Sequence, residues 1–419
     1  MSFQQGLSGL NGAQRALDVI GNNVANTSTV GFKQARAQFA DVFAATLEGA
    51  AGSQVGIGTT VDSVAQQFTQ GNITISDNPL DVAINGQGFY RMSRDGAISY
   101  TRNGQFGTDK DGFLVNAGNY RLTGYLADAT GTILPSLPAE IRIDTSDLVP
   151  QATASATVGL NLDSREAVAT GAAAWTGAFL ASGALPTPDM YNSSTALTAF
   201  DTLGNAHVLT LYFVKQAAAG AWDAYSQMDT PSAANPVQLA GASPALAFDT
   251  SGQLASAMPL SLSFPVTSGA ASPLAFSLDF TGSTQFGTAF GVNRLAQDGY
   301  TAGRLAGVTV GADGVVQGRY TNGQARDMAQ VVLSDFANPN GLVSLGGNQW
   351  AETSESGVPL TGAPGSGSLG VLQSAALEES NVDLTEELVN MITQQRSYQA
   401  NAQSIRTQDQ LMQTLVNLR

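Results

Sequence analysis

Few side chains in this sequence have the chemistry for a reaction. It has one histidine, His207, and no cysteine. Thiolate nucleophiles, disulfides and His-rich zinc sites are therefore excluded, and any serine triad has a single imidazole to draw on. His207 lies between Ala206 and Val208 in an apolar strand pattern, the setting of a structural histidine. Asp109-Lys110-Asp111-Gly112 opens like a calcium loop but lacks the later oxygen ligands and the closing Glu, so it reads as a hairpin turn. Gly365-Ser366-Gly367-Ser368-Leu369-Gly370 matches G-x-G-x-x-G, yet it follows no strand of a βαβ unit and has no basic neighbour, so it reads as linker. The acid pairs Glu378-Glu379 and Glu386-Glu387 fall at what reads as a helix entrance, where capping and solvation account for them. No catalytic residue, cofactor-binding residue or metal ligand is predicted, and the chain does not read as an enzyme.

A chain of 419 residues is long enough for two to four folding units. Hydrophobic residues, at 43%, supply real cores, but nowhere do about 18 run together as a bilayer span requires, so a soluble protein is expected. Lys and Arg total 18 against 33 Asp and Glu, a net charge of −15 that repels polyanions, so neither nucleic acid nor membrane is expected as a partner. Charged residues are only 12% while glycines number 46, a surface suited to subunit contacts. The opening Met1-Ser2-Phe3-Gln4-Gln5 has no basic n-region and leads into no unbroken apolar run. A cleavable secretory signal is not expected, and the protein either stays inside or leaves by another route.

The elements that would position these residues differ between the ends and the middle. Phe3, Leu7, Leu10, Ala13, Leu17, Ile20 and Val24 recur at steps of three and four, predicting a helix over 2–26 opened by a Ser2/Gln5 capping box. Leu388, Met391, Ile392, Tyr398, Ala402, Ile405, Met412, Leu415 and Val416 repeat the pattern through nearly five heptads, interrupted by Gln395 and Asp409 and started by Asp383 with Glu386. Such helices run roughly 35 and 55 Å. Between them, Leu80, Val82 and Ile84 precede Asn85-Gly86, Tyr100 to Phe106 enclose Asn103-Gly104, and Val308 and Val310 lead to Asp313-Gly314, all read as hairpins. Strand candidates also lie at 207–214 and 260–264, and breaker-rich 357–370 reads as linker.

The predicted fold class is multidomain, mainly β with α-helical termini. Residues 1–26 form a helix that pairs with 380–419 as a coiled coil, 27–71 connect, 72–148 with 293–360 make a discontinuous β domain, 149–292 an inserted outer β domain, and 361–379 a linker. The two apolar stripes are too narrow to bury themselves on each other alone. They are expected to be completed by further copies of the chain.

The segment Gly21-Asn22-Asn23-Val24-Ala25-Asn26-Thr27-Ser28-Thr29-Val30-Gly31-Phe32-Lys33 resembles the N-terminal motif of the bacterial flagellar rod and hook axial family. Ser380-Asn381-Val382-Asp383, continuing through Leu388 to Met391 and Gln395 to Gln399 as far as Leu418, is similar to its C-terminal motif. The likeness covers about 1–145 and 295–419; within the family, the segments 80–92 and 100–125 and the length resemble the hook branch, with the shorter distal rod subunits as the alternative. A secreted β-rich adhesin or enzyme is the reading from another class. The resemblance implies a homopolymer that forms a curved tube acting as a universal joint between rod and filament, outside the cell. It implies terminal helices as the inner coiled-coil layer, β domains outside, and the rod, hook cap, hook–filament junction proteins and type III export apparatus as partners. Asn22, Asn23, Asn26, Gly31, Phe32, Lys33, Asn381 and Asp383 match the motifs and are expected to shape a joint between subunits, with Phe39 and Phe43 as further anchors.

Overall fold

A computed structural model of the chain describes residues 2–42, 56, 58–128, 130–180, 182–229, 237–238 and 245–417. The chain forms two compact units, one from Met1–Thr145, Ala306–Arg319 and Ala325–Arg419, the other from Ser146–Leu305 and Tyr320–Gln324. The second unit is larger than the predicted insert. It takes in the strand Gly291–Gln297, which pairs antiparallel with Ser155–Asn161.

Helices α1 (Ser2–Ala25), α2 (Gly177–Leu180) and α3 (Leu384–Asn417) are described; α1 and α3 belong to the first unit and α2 to the second. α1 and α3 run antiparallel, since Gly6 faces Ile405, Gly9 faces Asn401, and Asn23 bonds Glu387. Glycine weakens a helix by roughly 1 kcal/mol relative to alanine. Here it permits close approach: a Cβ on Gly9 would stand 2.8 Å from the Asn401 side chain, and one on Gly6 3.1 Å from Ile405. In this register the last turns of α3 run past the start of α1, which leaves Leu411 and Met412 exposed. Gln5 does not cap α1 as predicted; its amide instead donates to the Gly56 carbonyl at 2.7 Å.

The predicted connection 27–71 contains the antiparallel pair Ala35–Val42 and Gly58–Gln66, and the predicted linker 361–379 contains strands. Val371–Ser374 pairs with Val82–Asn85, and Ala376–Glu378 with Ile73–Ile75. Both corrections have one cause: backbone groups of connecting segments still need partners, and strand pairing supplies them. The main sheet of this unit follows the order Leu305–Val310, Val315–Tyr320, Ala325–Val331, Arg121–Leu126, Phe89–Arg94, Ala97–Thr101, Gln349–Ala351, Val343–Gly346. Asp313-Gly314 does turn a hairpin there. Asn85-Gly86 and Asn103-Gly104 do not, because Val82–Asn85 pairs with the distant Val371–Ser374 and Gly104 accepts from the Val82 N–H. The hairpin Phe89–Arg94/Ala97–Thr101 turns instead at Asp95-Gly96, both with positive φ. Phe89, Tyr100, Phe336 and Trp350 pack edge to face beneath it.

The second unit packs two sheets face to face. One has the order Leu260–Phe264, Leu274–Asp279, Ser155–Asn161, Gly291–Gln297, and the other Ser193–Phe200, Ala206–Lys215, Ala221–Met228, Val237–Gln238. Alternate residues from both, among them Leu160, Leu211, Phe213, Trp222, Phe276 and Leu278, share one buried cluster. His207 is held between Asp229 at 3.2 Å and Asp201 at 3.3 Å, with both ring nitrogens engaged. Phe213 is fully buried and meets Phe280 edge to face. Phe213→Ala is expected to destabilise this unit by about 3–5 kcal/mol; calorimetry resolving the two units would show one transition lowered and the other unmoved.

Candidate functional site

The residues between Val371 and Glu378 form strand because apolar side chains alternate inward, and that alternation carries Leu372, Ala376 and then the carboxylate of Glu378 into the interior. Lys33 Nζ lies 2.7 Å from Glu378 Oε1 and Arg102 Nε 2.9 Å from Oε2, with side-chain exposures of 1%, 0% and 4% for Lys33, Glu378 and Arg102. The other hydrogen-bonding groups are also used. Arg102 donates to the carbonyls of Gly88 at 2.6 Å and Gly86 at 3.0 Å, Lys33 to that of Thr69 at 2.7 Å, and the Gly71 N–H to Glu378 at 2.9 Å. Burial pushes the Glu378 carboxyl up, but Arg102 and Lys33 outweigh it and hold the group below its usual range. Burial, then Arg102, lowers the Lys33 amine against the pull of Glu378.

The motif residues fasten the chain around this charge cluster. Gly31 has φ of 68°, and a Cβ there would stand 2.7 Å from the Asn103 nitrogen, so glycine is required. Its N–H donates to the Glu378 carbonyl at 2.8 Å. Asn381 accepts from the Gln34 N–H at 2.7 Å and donates to the Gln67 carbonyl at 2.7 Å, clasping both sides of the antiparallel pair. Asn23, buried on α1, exchanges two bonds with the backbone of Ala35, at 2.8 and 2.9 Å. Asp383 caps α3, accepting from the N–H groups of Thr385 and Glu386. Asn22 and Asn26 bond each other at the end of α1, and Phe32 is half-buried. Phe39 is exposed, and Phe43 lies outside the described residues.

Above this root, the predicted polymerisation residues divide. Ile20 is buried, and Leu10, Leu17, Val24, Met391, Tyr398 and Ile405 are half-buried. Phe3 (51% exposed), Leu7 (43%), Leu388 (44%), Ile392 (51%) and Met412 (62%) face solvent. The side chains of Leu415 and Val416 lie outside the described residues. Sequence reasoning missed Arg102, and it placed Glu378 and Glu387 at a helix entrance as capping or solvated acids, whereas both are buried. The signal for Glu378 was its even spacing from Leu372 and Ala376; nothing local marked Arg102.

The chain matches family models described as flagella basal body rod protein (residues 3–33), flagellar hook protein FlgE/F/G D1 domain (83–161), flagellar basal body protein FlaE D2 domain (161–300) and flagellar basal body rod FlgEFG protein C-terminal (373–418). It is 42% identical to the flagellar hook protein FlgE of Escherichia coli (strain K12), with all of both chains covered. The chain belongs to the flagellar hook protein family. It is also 32% identical to the hook protein of Borreliella burgdorferi, over all of this chain and 99% of that one. The crystal structure of Helicobacter pylori flagellar hook protein FlgE2 shares the fold, with a TM-score of 0.52 and 15% identity over 73% of this chain and 100% of that chain. In this hook-family chain the two terminal matches hold both sides of the root: Asn23, Gly31 and Lys33 in one, Glu378, Asn381 and Asp383 in the other.

Removing Glu378 strands two buried cations. Glu378→Ala is expected to lower stability by about 3–5 kcal/mol in chemical denaturation. Because the folded carboxyl titrates below its ordinary value of 4.5, its contribution is present above that value and lost as pH falls through the lowered one. The wild type should therefore lose melting temperature on acidification below 4.5, and the variant should show a shallower acid limb.

Proposed function

We propose that the chain is the repeating subunit of the flagellar hook, and that copies join through their terminal helices into a curved tube outside the cell. The tube carries torque from the basal-body rod to the filament as a universal joint. The observation that carries this reading is the contrast along α1 and α3: their roots are locked by buried charge, while Phe3, Leu7, Leu388, Ile392 and Met412 stay in solvent. Exposed apolar stripes of that kind mark interaction surfaces. The motif residues Asn23, Gly31, Lys33, Asn381 and Asp383 set how the helices leave the β unit, and so where copies meet. The role is that of building material rather than catalyst. At the tube's ends the partners are rod, hook cap and hook–filament junction proteins, reached through the type III export apparatus.

Bending requires contacts that slide at low cost. The second unit offers such surfaces, weakly charged and dotted with single exposed apolar residues such as Leu203, Val208 and Leu295, without a deep anchor. Leu203→Asp with Val208→Asp is expected to change tube curvature or stiffness in electron micrographs; unchanged curvature across such variants would sink the sliding-contact reading. Deleting 2–25 or 384–417 is expected to leave a soluble protein with intact β circular dichroism that does not pellet as polymer. Tubes formed by either truncated protein would overturn the role given to the helices.

A further inference from the structure

The hydrogen bonds of Glu387 are lopsided. The residue is 3% exposed on the first turn of α3, and its Oε1 accepts from Asn23 Nδ2 at 3.2 Å and from the Gln34 amide. Its Oε2 is buried with no hydrogen-bond partner among the described residues. A buried carboxyl oxygen left so is costly unless a donor arrives. Glu387 lines a groove of about 430 Å³, walled also by Val19 and Ile20 of α1, Ala37 and Phe39 of the strand Ala35–Val42, and Asn390 and Gln394 of α3. That space admits a planar side chain, not merely one water of roughly 30 Å³. Arg36 lines the groove yet makes no ion pair among the described residues.

We propose that Glu387 is one half of a salt bridge between copies, and that its free oxygen receives the guanidinium of an arginine on a neighbouring copy's terminal helices. This rests on the reading of the chain as a polymer subunit and names a contact within it. A guanidinium fits because its planar fork matches a carboxylate edge and is desolvated more cheaply than an ammonium. A second copy fits because Arg15 on α1 and Arg396 and Arg406 on α3 are exposed and make no ion pair within their own chain among the described residues. In a chain with only 18 basic residues, three free guanidinium groups stand on the two helices whose outer faces await neighbours.

The test measures the protein concentration above which full-length chain sediments as polymer. Glu387→Gln keeps the shape and the Asn23 contact, so circular dichroism and melting should match wild type while the threshold rises about tenfold or more and loses part of its salt dependence. Glu387→Lys and one of Arg15→Glu, Arg396→Glu or Arg406→Glu should each assemble poorly alone, while their equimolar mixture assembles like wild type, because alternating copies restore opposite charges at every contact. An unchanged threshold in Glu387→Gln overturns the proposal, and points to water in the groove. So does the absence of rescue in all three mixtures, or rescue only in the single chain carrying Glu387→Lys with Arg36→Glu, which places the partner within one copy. Failure of the wild type itself to polymerise would instead overturn the reading as a tube subunit.

Discussion

A single carboxylate, Glu378, sits sealed between Lys33 and Arg102, and the first unit depends on that arrangement. Its three members come from the motif after α1, the end of the strand Ala97–Thr101 and the strand just before α3, segments that share nothing in sequence distance. Buried ion pairs seldom add much net stability, since desolvation offsets attraction. Their strength lies in what they forbid: no shift of any of the three segments leaves both cations satisfied. For a chain whose ends must act at a distance from its sheets, fixing the origin of both helices matters more than a few kcal/mol.

With the root fixed, the helices can remain unfinished. α1 and α3 meet along a seam narrowed by Gly6 and Gly9, so they touch each other closely and leave their outer stripes bare. Glycine at such positions sacrifices intrinsic helicity, which is tolerable where packing rather than propensity supplies the stability. The overhang of α3 past α1 exposes Leu411 and Met412 in the same way.

The second unit is organised on different terms. Its two sheets share one apolar cluster, and its lone histidine spends both ring nitrogens on aspartates. Asp201 is held well below the usual carboxylate range by the hydroxyl of Ser268, by Asn205 and by His207, against the effect of burial. The polar chemistry of this unit is thus absorbed in holding turns in place. Its exposed surface is left weakly charged.

Read alone, the residues marked the helical ends, the β-rich middle, the turn at Asp313-Gly314 and the strand around His207, because periodicity and turn chemistry are local properties of the chain. The motif residues Asn23, Gly31, Lys33, Asn381 and Asp383 were legible as well. What they hold was not. Asn85-Gly86 and Asn103-Gly104 looked like hairpins but serve long-range pairing, and the end of the stretch taken as a linker became strand, because a backbone N–H can be satisfied by any strand the fold brings near. Likewise Glu378 looked solvated until Lys33 and Arg102 stood beside it. Sequence determines which segments can be helix or strand and which stripes are apolar; only the tertiary structure decides which charges are buried together and which apolar faces stay open, since desolvation and pairing depend on neighbours hundreds of residues away.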